Sequence, residues 1–298
     1  MLKRVLRSGL WRMQCWLTEE KVRAEQEASI PFENSYTWLR ATFLQLMRDP
    51  SCARRPVYIW GVLQGVALAK VLGIARVSVM EFGVAGGAGL LALERIAETV
   101  EELPGIGVGV DVYGFDTGQG LPQPEDYRDC PNLWAGGFYA MDKAQLEARL
   151  RRARLQLGLV GETVPAFLET SFSPVAFISF DVDLYTSTRD ALKLLEARHE
   201  ALLPRIYCYF DDIVGFSFSE YNGERLAIAE FNEAHAVRKV SPLYGLKYFV
   251  PPAHATSMWV DMFYLAHIFD HPLYGKPDEL RKPTIIDIEG NVRGGSPQ

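Results

Sequence analysis

The chain is expected to fold as an α/β protein with a doubly wound, mainly parallel sheet preceded by an N-terminal helical extension. Three observations predict this. From Val77 onward, short apolar runs alternate with segments of helical periodicity. The first of those runs ends in a dense glycine turn, Gly83-Val84-Ala85-Gly86-Gly87-Ala88-Gly89. Two later runs end in acids, Phe180-Asp181-Val182-Asp183 and Phe210-Asp211-Asp212. In open parallel sheets, ligands bind at the carboxyl ends of strands, where those acids fall.

In chain order, Tyr36 to Met47 places Trp38, Phe43, Leu46 and Met47 near one helical face, and Asp49-Pro50-Ser51 breaks it. Val57 to Leu72 is apolar all round, so a buried helix is expected, closed by Gly73 in a C-cap position. Strands are predicted over Val77–Phe82, Val108–Phe115, Gln156–Val160, Val175–Phe180 and Arg205–Phe210. Helices are predicted over Gly89–Glu102, Asp142–Gln156, Val164–Thr170, Thr188–Leu203 and Gly223–Ala234. A polar loop spans Asp116 to Phe138, and late strands are expected near Gly245–Val250 and Ser257–Tyr264. The simplest division is an N-terminal helical extension or lid over 1–75, one catalytic domain over 76–270, and an irregular, Pro- and Gly-rich tail over 271–298.

A chain of 298 residues with 48% hydrophobic content can bury such a sheet. A net charge of −6 without a long basic run argues against a nucleic-acid surface. Four scattered cysteines without a C-x-x-C suggest reduced thiols and a cytoplasmic location. No stretch reaches the length of a membrane span. The basic, amphipathic start from Met1 to Trp11 is assigned to docking on the protein itself or on a partner rather than to a membrane surface. The apolar N-terminal helices also offer a surface for a homo-oligomer.

The glycine turn fits two cradles. Gly87-Ala88-Gly89-Leu90-Leu91-Ala92 matches a dinucleotide fingerprint. Glu81-x-Gly83-x-x-x-Gly87-x-Gly89 instead matches motif I of class I S-adenosylmethionine (SAM) methyltransferases. The acid separates them, since a carboxylate suits an ammonium and a sulfonium and would repel a pyrophosphate. An ordinary strand–helix turn is the remaining alternative. Asp116, at the end of the second strand, suits a pair of ribose hydroxyls; Asp111 is the alternative, but it falls inside the strand. Adjacent strands would gather Asp181, Asp211 and Asp212. Clustered carboxylates are costly unless protonated or neutralised, and a hard divalent cation such as Mg²⁺ is the natural neutraliser. The histidines, His199, His235, His254, His267 and His271, lack a convincing ligand spacing and are expected to be structural or to shape a substrate pocket; Trp259 and Tyr264 are expected in the core.

Four stretches in order carry a resemblance: Glu81-Phe82-Gly83-Val84-Ala85-Gly86-Gly87, Tyr113 to Pro122, Asp181-Val182-Asp183-Leu184-Tyr185-Thr186-Ser187-Thr188, and Asp211-Asp212. Over about residues 75–235 the chain resembles the macrocin O-methyltransferase (TylF-like) family, SAM- and Mg²⁺-dependent enzymes of a Rossmann-like class I methyltransferase fold. The resemblance implies Asp181, Asp211 and Asp212 as metal ligands and Asp183 as general base. It implies Glu81, Gly83, Gly87, Asp116, Glu162 and Asp181 as the residues around SAM, Glu162 near the adenine, and a lid around Trp134 to Phe138. The acceptor would be a small molecule, such as a sugar, offering a hydroxyl. The chain departs from the family where Leu203-Pro204-Arg205-Ile206 replaces its Pro-Gly-Gly, and in the stretch from Phe263 to Gly275. Asp181-Val182-Asp183 also fits the D-x-D of metal-dependent glycosyltransferases. The glycines also fit a NAD-dependent oxidoreductase, and a SAM-binding module without catalysis is a further alternative.

Overall fold

The computed structural model describes Phe32, residues 36–276, and the backbone of residues 284–286 and 292–294. The N-terminal amphipathic stretch and Cys15 lie outside the described residues. Seven strands form one sheet in the order β3-β2-β1-β4-β5-β7-β6. They are β1 (Arg76–Phe82), β2 (Gly109–Asp116), β3 (Arg154–Leu157), β4 (Val175–Phe180), β5 (Leu202–Phe210), β6 (Arg238–Pro242) and β7 (Phe263–Ile268). The first five pair in parallel, and β7 runs antiparallel between β5 and β6. The expected doubly wound, mainly parallel sheet is therefore present. Its order reverses at β1/β4, which opens a crevice at their carboxyl ends.

Why these residues form a sheet covered on both faces is visible in their composition. Every residue of β4 is buried, and in β1 only Arg76 is exposed. At the carboxyl edge the four central strands each carry a phenylalanine in register: Phe115, Phe82, Phe180 and Phe210. Their rings stack at centroid distances of 4.4, 5.7 and 4.5 Å across β2, β1, β4 and β5, and none is exposed. Each such pair contributes about 0.5–1.5 kcal/mol beyond its buried area. The residue after each phenylalanine is Asp116, Gly83, Asp181 or Asp211, so this apolar ladder sets the level at which the polar site begins.

Helix Pro56–Leu72 lies on the sheet with nearly its whole surface buried. A Cβ at Gly61 would come within 2.2 Å of the Phe177 ring, and one at Gly65 within 2.8 Å of the Ala176 Cβ. These two glycines let the helix seat directly on β4. Gly73 closes the helix at φ +74° as expected.

Several element boundaries differ from the sequence-based expectation. The helix expected over 142–156 is only Lys143–Glu147, and Arg154–Leu157 is the edge strand β3. Buried Glu94 from helix Ala88–Glu101 accepts the N–H groups of Arg151, Arg152 and Ala153 with one oxygen, which holds that backbone out of a helix. β3 then stops at Gly158 (φ +143°), and helix Val160–Leu168 starts four residues earlier than Val164. The helix expected over 188–203 is Tyr185–Leu192 followed by single 3₁₀ turns, and β5 begins at Leu202. Pro204 is accommodated there because the β4/β5 register is irregular between Val175 and Phe177. The late strands shift too: Leu246–Tyr248 and Met258–Val260 are 3₁₀ turns, while Arg238–Pro242 and Phe263–Ile268 are the strands. Edge strand β6 buries only Val240 fully, so it carries no apolar run to betray it. The tail is not wholly irregular, since Thr284–Ile286 and Val292–Gly294 pair as an antiparallel ribbon. No helix among the described residues is long and apolar enough to cross a membrane.

Candidate active site

The glycine turn after β1 is shaped by close backbone approach. Gly83 has φ +87°, and a Cβ there would fall 1.6 Å from the Asp181 carbonyl oxygen. Gly87, at φ +84°, is the N-cap of helix Ala88–Glu101. A Cβ on Gly89 would fall 1.8 Å from Glu81 Oε1, so the first turn of that helix rests on the strand-end acid. Glu81 is 1% exposed; the Tyr58 hydroxyl donates to its Oε1 at 2.6 Å and accepts in turn from Ser179 Oγ at 3.0 Å. Its Oε2 is buried without a partner, and burial pushes its pKa up to about 8.

Asp116 organises this turn. Its Oδ2 accepts from the amides of Val84 and Ala85, each at 2.9 Å, and its Oδ1 from Gly118 at 2.6 Å. A carboxylate expected to serve ribose hydroxyls thus spends most of its accepting capacity on the loop, while still lining the cleft. The alternative, Asp111, sits near the opposite end of β2, paired with Arg76 at 2.9 Å.

Across the crevice, Asp181, Asp211 and Asp212 each bring a carboxylate oxygen within 4.8 Å of the others. Sheet hydrogen bonds fix the first two, from Asp181 N–H to Phe82 O at 2.9 Å and from Asp211 N–H to Phe180 O at 3.0 Å. The Tyr209 hydroxyl donates to Asp211 Oδ1. The Asp212 amide donates to Glu224 Oε2 at 3.0 Å, and Glu224 is itself fully buried beneath the cluster. Burial, then the neighbouring carboxylates, raise Asp181 to about 7 and Asp212 to about 8. Asp212 Oδ2 is buried with no hydrogen-bond partner. Converging hard oxygens, one of them orphaned, fit a divalent cation such as Mg²⁺.

Asp183 stands beside the cluster, 7% exposed, with φ +62°. The Leu184 N–H bonds back to the Val182 carbonyl at 2.6 Å, closing a tight three-residue turn around it. Such a backbone is strained for a non-glycine residue by about 1–3 kcal/mol. Three of the four non-glycine residues with positive φ among those described, Ala85, Tyr139 and Asp183, line the same cleft. Burial first, then the charge of Asp181, pushes the Asp183 pKa up to about 7.

Loop 117–142 covers the crevice with Trp134, Phe138 and Tyr139. Paired bonds between Leu121 and Phe138 and between Gly137 and Leu121, each 2.8 Å, close it on itself. Its base is pinned by buried Asp129, which accepts from Thr186 N and Oγ and from Glu125 N. The resulting cavity has a volume of about 380 Å³.

Glu81, Gly83, Asp116, Asp181, Asp183, Asp211 and Asp212 are all brought to this cleft. Gly87 shapes it from behind, where a Cβ would strike Leu146. Glu162 is exposed in the first turn of helix Val160–Leu168 and does not line the cleft, whereas Val160 does. Sequence reasoning missed Arg55, Tyr58, Asp129 and Glu224, which arrive from distant segments. It also missed the phenylalanine preceding Gly83, Asp116, Asp181 and Asp211, a signal that was present. The five histidines lie outside the cleft lining; Trp259 is buried, as expected, and Tyr264 is packed partly buried against the core.

No protein-family model matches the chain, and no curated protein matches it. Solved structures do align. The calicheamicin methyltransferase CalS11 shares 21% identity over 70% of this chain and 88% of its own, with a TM-score of 0.45. A putative O-methyltransferase from Klebsiella pneumoniae shares 17% identity over 78% and 98%, with a TM-score of 0.36. The O-methyltransferase from Bacillus cereus in complex with SAH shares 17% over 83% and 96%, with a TM-score of 0.34. Likenesses at these identities and TM-scores carry no functional weight by themselves.

Proposed function

We propose that this protein is a SAM-dependent, divalent-cation-assisted O-methyltransferase acting on a hydroxyl of a small molecule, with sugars among the first acceptors to test. The observation that carries this reading is the joining, in one cleft, of the Asp181/Asp211/Asp212 oxygen cluster with Asp183 and the Glu81–glycine cradle. A metal-dependent glycosyltransferase leaves the buried Glu81 without a role, and a NAD-dependent oxidoreductase leaves the oxygen cluster without one.

SAM, when bound, supplies the electrophilic methyl group. Asp181, Asp211 and Asp212 would hold the cation, whose chemistry is to acidify and orient an acceptor hydroxyl. The residues of the chain do the rest. The glycine turn lets the donor approach the backbone without a Cβ in the way. Glu81 and Asp181, raised by burial to about 8 and about 7, would ionise against the donor's ammonium and sulfonium, and Asp116 keeps the loop in shape. Asp183, with a pKa near neutrality, accepts the hydroxyl proton as the oxygen attacks. Trp134, Phe138 and Tyr139 shield the reacting groups from water. In this scheme residues 76–270 form the catalytic unit, residues 1–75 an extension that is helical over Tyr36–Leu46, Pro50–Ala53 and Pro56–Leu72, and residues 271–298 a tail. Glu162, which the resemblance puts near the adenine, lies outside the cleft lining and has no part in this scheme.

Calorimetry with S-adenosylhomocysteine, NAD and a UDP-sugar, each with and without Mg²⁺, tests the proposal. Binding of S-adenosylhomocysteine alone is the expected result. A screen of hydroxylated acceptors with labelled SAM would then identify the second substrate, and selective binding of NAD or the UDP-sugar would overturn the assignment.

A further inference from the structure

The cleft is lined by six carboxylates, Glu81, Asp116, Asp181, Asp183, Asp211 and Asp212, and among its described lining residues the one cationic side chain is Arg55. Arg55 is the N-cap of helix Pro56–Leu72, and its carbonyl accepts from Tyr58 N–H at 3.0 Å and Ile59 N–H at 3.3 Å. That helix is locked onto β4 through Gly61 and Gly65, so the Arg55 backbone is held firmly. The half-buried guanidinium sits 5.7 Å from the centre of the Tyr58 ring, and Tyr58 in turn donates to Glu81. Arg55 therefore reaches the cleft beside the Tyr58–Glu81 pair, within the field of Glu81, Asp181 and Asp211 but bonded to none of them.

A guanidinium among so many carboxylates would be expected to pair with one. Beyond its contact with the Tyr58 ring, the Arg55 side chain makes no ion pair and no hydrogen bond with any described residue, and its N–H fork remains available. A group that served only to neutralise the acids would lie against them. An unpaired fork in an acidic cleft instead suits a ligand carrying its own anion, and the fork matches a carboxylate in bidentate geometry. The methyl donor has the matching pattern. Its methionyl end bears an ammonium beside a carboxylate; the acids favour the first and repel the second, so the carboxylate needs a cation of its own.

We propose that Arg55 binds the α-carboxylate of the methyl donor and so selects an intact methionyl end. This rests on the SAM reading above and adds a residue that none of the motifs contains. Arg55 is also positioned to make donor binding depend on the extension, since it belongs to the helix that precedes β1 rather than to the sheet.

The test compares SAM with decarboxylated SAM, which keeps the ammonium and sulfonium and lacks the carboxylate. Isothermal titration uses the wild type, Arg55→Met and Arg55→Lys, with thermal melting to check folding. For Arg55→Met, SAM affinity should fall about 10- to 100-fold, the range of a hydrogen bond to a charged group. Decarboxylated SAM should bind both proteins alike or slightly favour the variant, and Arg55→Lys should recover part of the SAM affinity. Equal losses for both ligands, or unchanged SAM binding, would overturn the assignment. So would unchanged SAM binding with a raised acceptor KM, which would place the anion on the acceptor. A wild type that binds neither ligand would instead remove the SAM reading on which the assignment rests.

Discussion

Glu94 and Asp212 are both buried carboxylates, 2% and 8% exposed, yet their surroundings are opposite. Glu94 accepts three backbone amides, from Arg151, Arg152 and Ala153. Asp129 is treated the same way by Glu125 and Thr186. Asp212 keeps an oxygen with no partner, faces Asp181 and Asp211, and is pushed up to about 8 by burial and by the charges of Asp183 and Asp211. The first kind of acid stabilises the fold. The second costs stability until something outside the chain satisfies it, which marks the carboxyl edge of β4 and β5 as the place where a ligand is expected.

Substitutions can separate these two kinds of acid. The largest effect is expected at Asp183. Asp183→Asn keeps a residue that tolerates φ +62°, so the melting temperature should hold, while turnover with an identified acceptor should fall about 100- to 10,000-fold. Normal turnover would remove Asp183 from the general-base role. Next comes a crossed pair. Asp211→Asn should abolish the rise in melting temperature that Mg²⁺ produces, and EDTA should have no further effect on it. Glu94→Ala should lower stability by about 1–3 kcal/mol in urea titration, with the Mg²⁺ response intact. A Mg²⁺ response that survives in Asp211→Asn would refute the ligand assignment.

Gly83→Ala should destabilise the fold by more than about 1 kcal/mol, because its Cβ would fall on the Asp181 carbonyl and its φ is +87°. A smaller, graded effect is expected with pH. Asp181 and Asp183, raised to about 7, and Asp212, raised to about 8, bind protons more tightly folded than unfolded. Their contribution is present in full below the unfolded value of 3.8 and is lost as pH rises through about 7–8. Metal-free protein should therefore have a higher urea midpoint at pH 5 than at pH 8, and saturating Mg²⁺ should narrow the difference. An unchanged midpoint would mean that the acids are already neutralised. The smallest effect is expected at Gly86, where a Cβ meets nothing within 4 Å; Gly86→Ala should change stability by no more than about 0.5 kcal/mol.

Much of this arrangement is legible in the chain itself. Strands with both faces buried leave near-continuous apolar runs, so β1, β2, β4 and β5 stand out, and the acids that follow them mark the site. Elements whose form depends on distant partners are not legible. Arg154–Leu157 has helical neighbours and becomes a strand because Glu94 captures the amides before it. Glu162 carries an acid at the expected spacing, but the helix phase turns it outward.

By itself the sequence determined the layered α/β fold, the glycine bend and the acids at the strand ends, because periodicity, backbone freedom and the charge of adjacent residues are local properties. Only the tertiary structure decided which carboxylates are satisfied and which are left open. It alone placed Tyr58 against Glu81, brought Arg55 to the same cleft and stacked four phenylalanines into one ladder. The reason is physical: a buried group's partners, and hence its charge state and what it can bind, come from whichever segments the fold brings beside it.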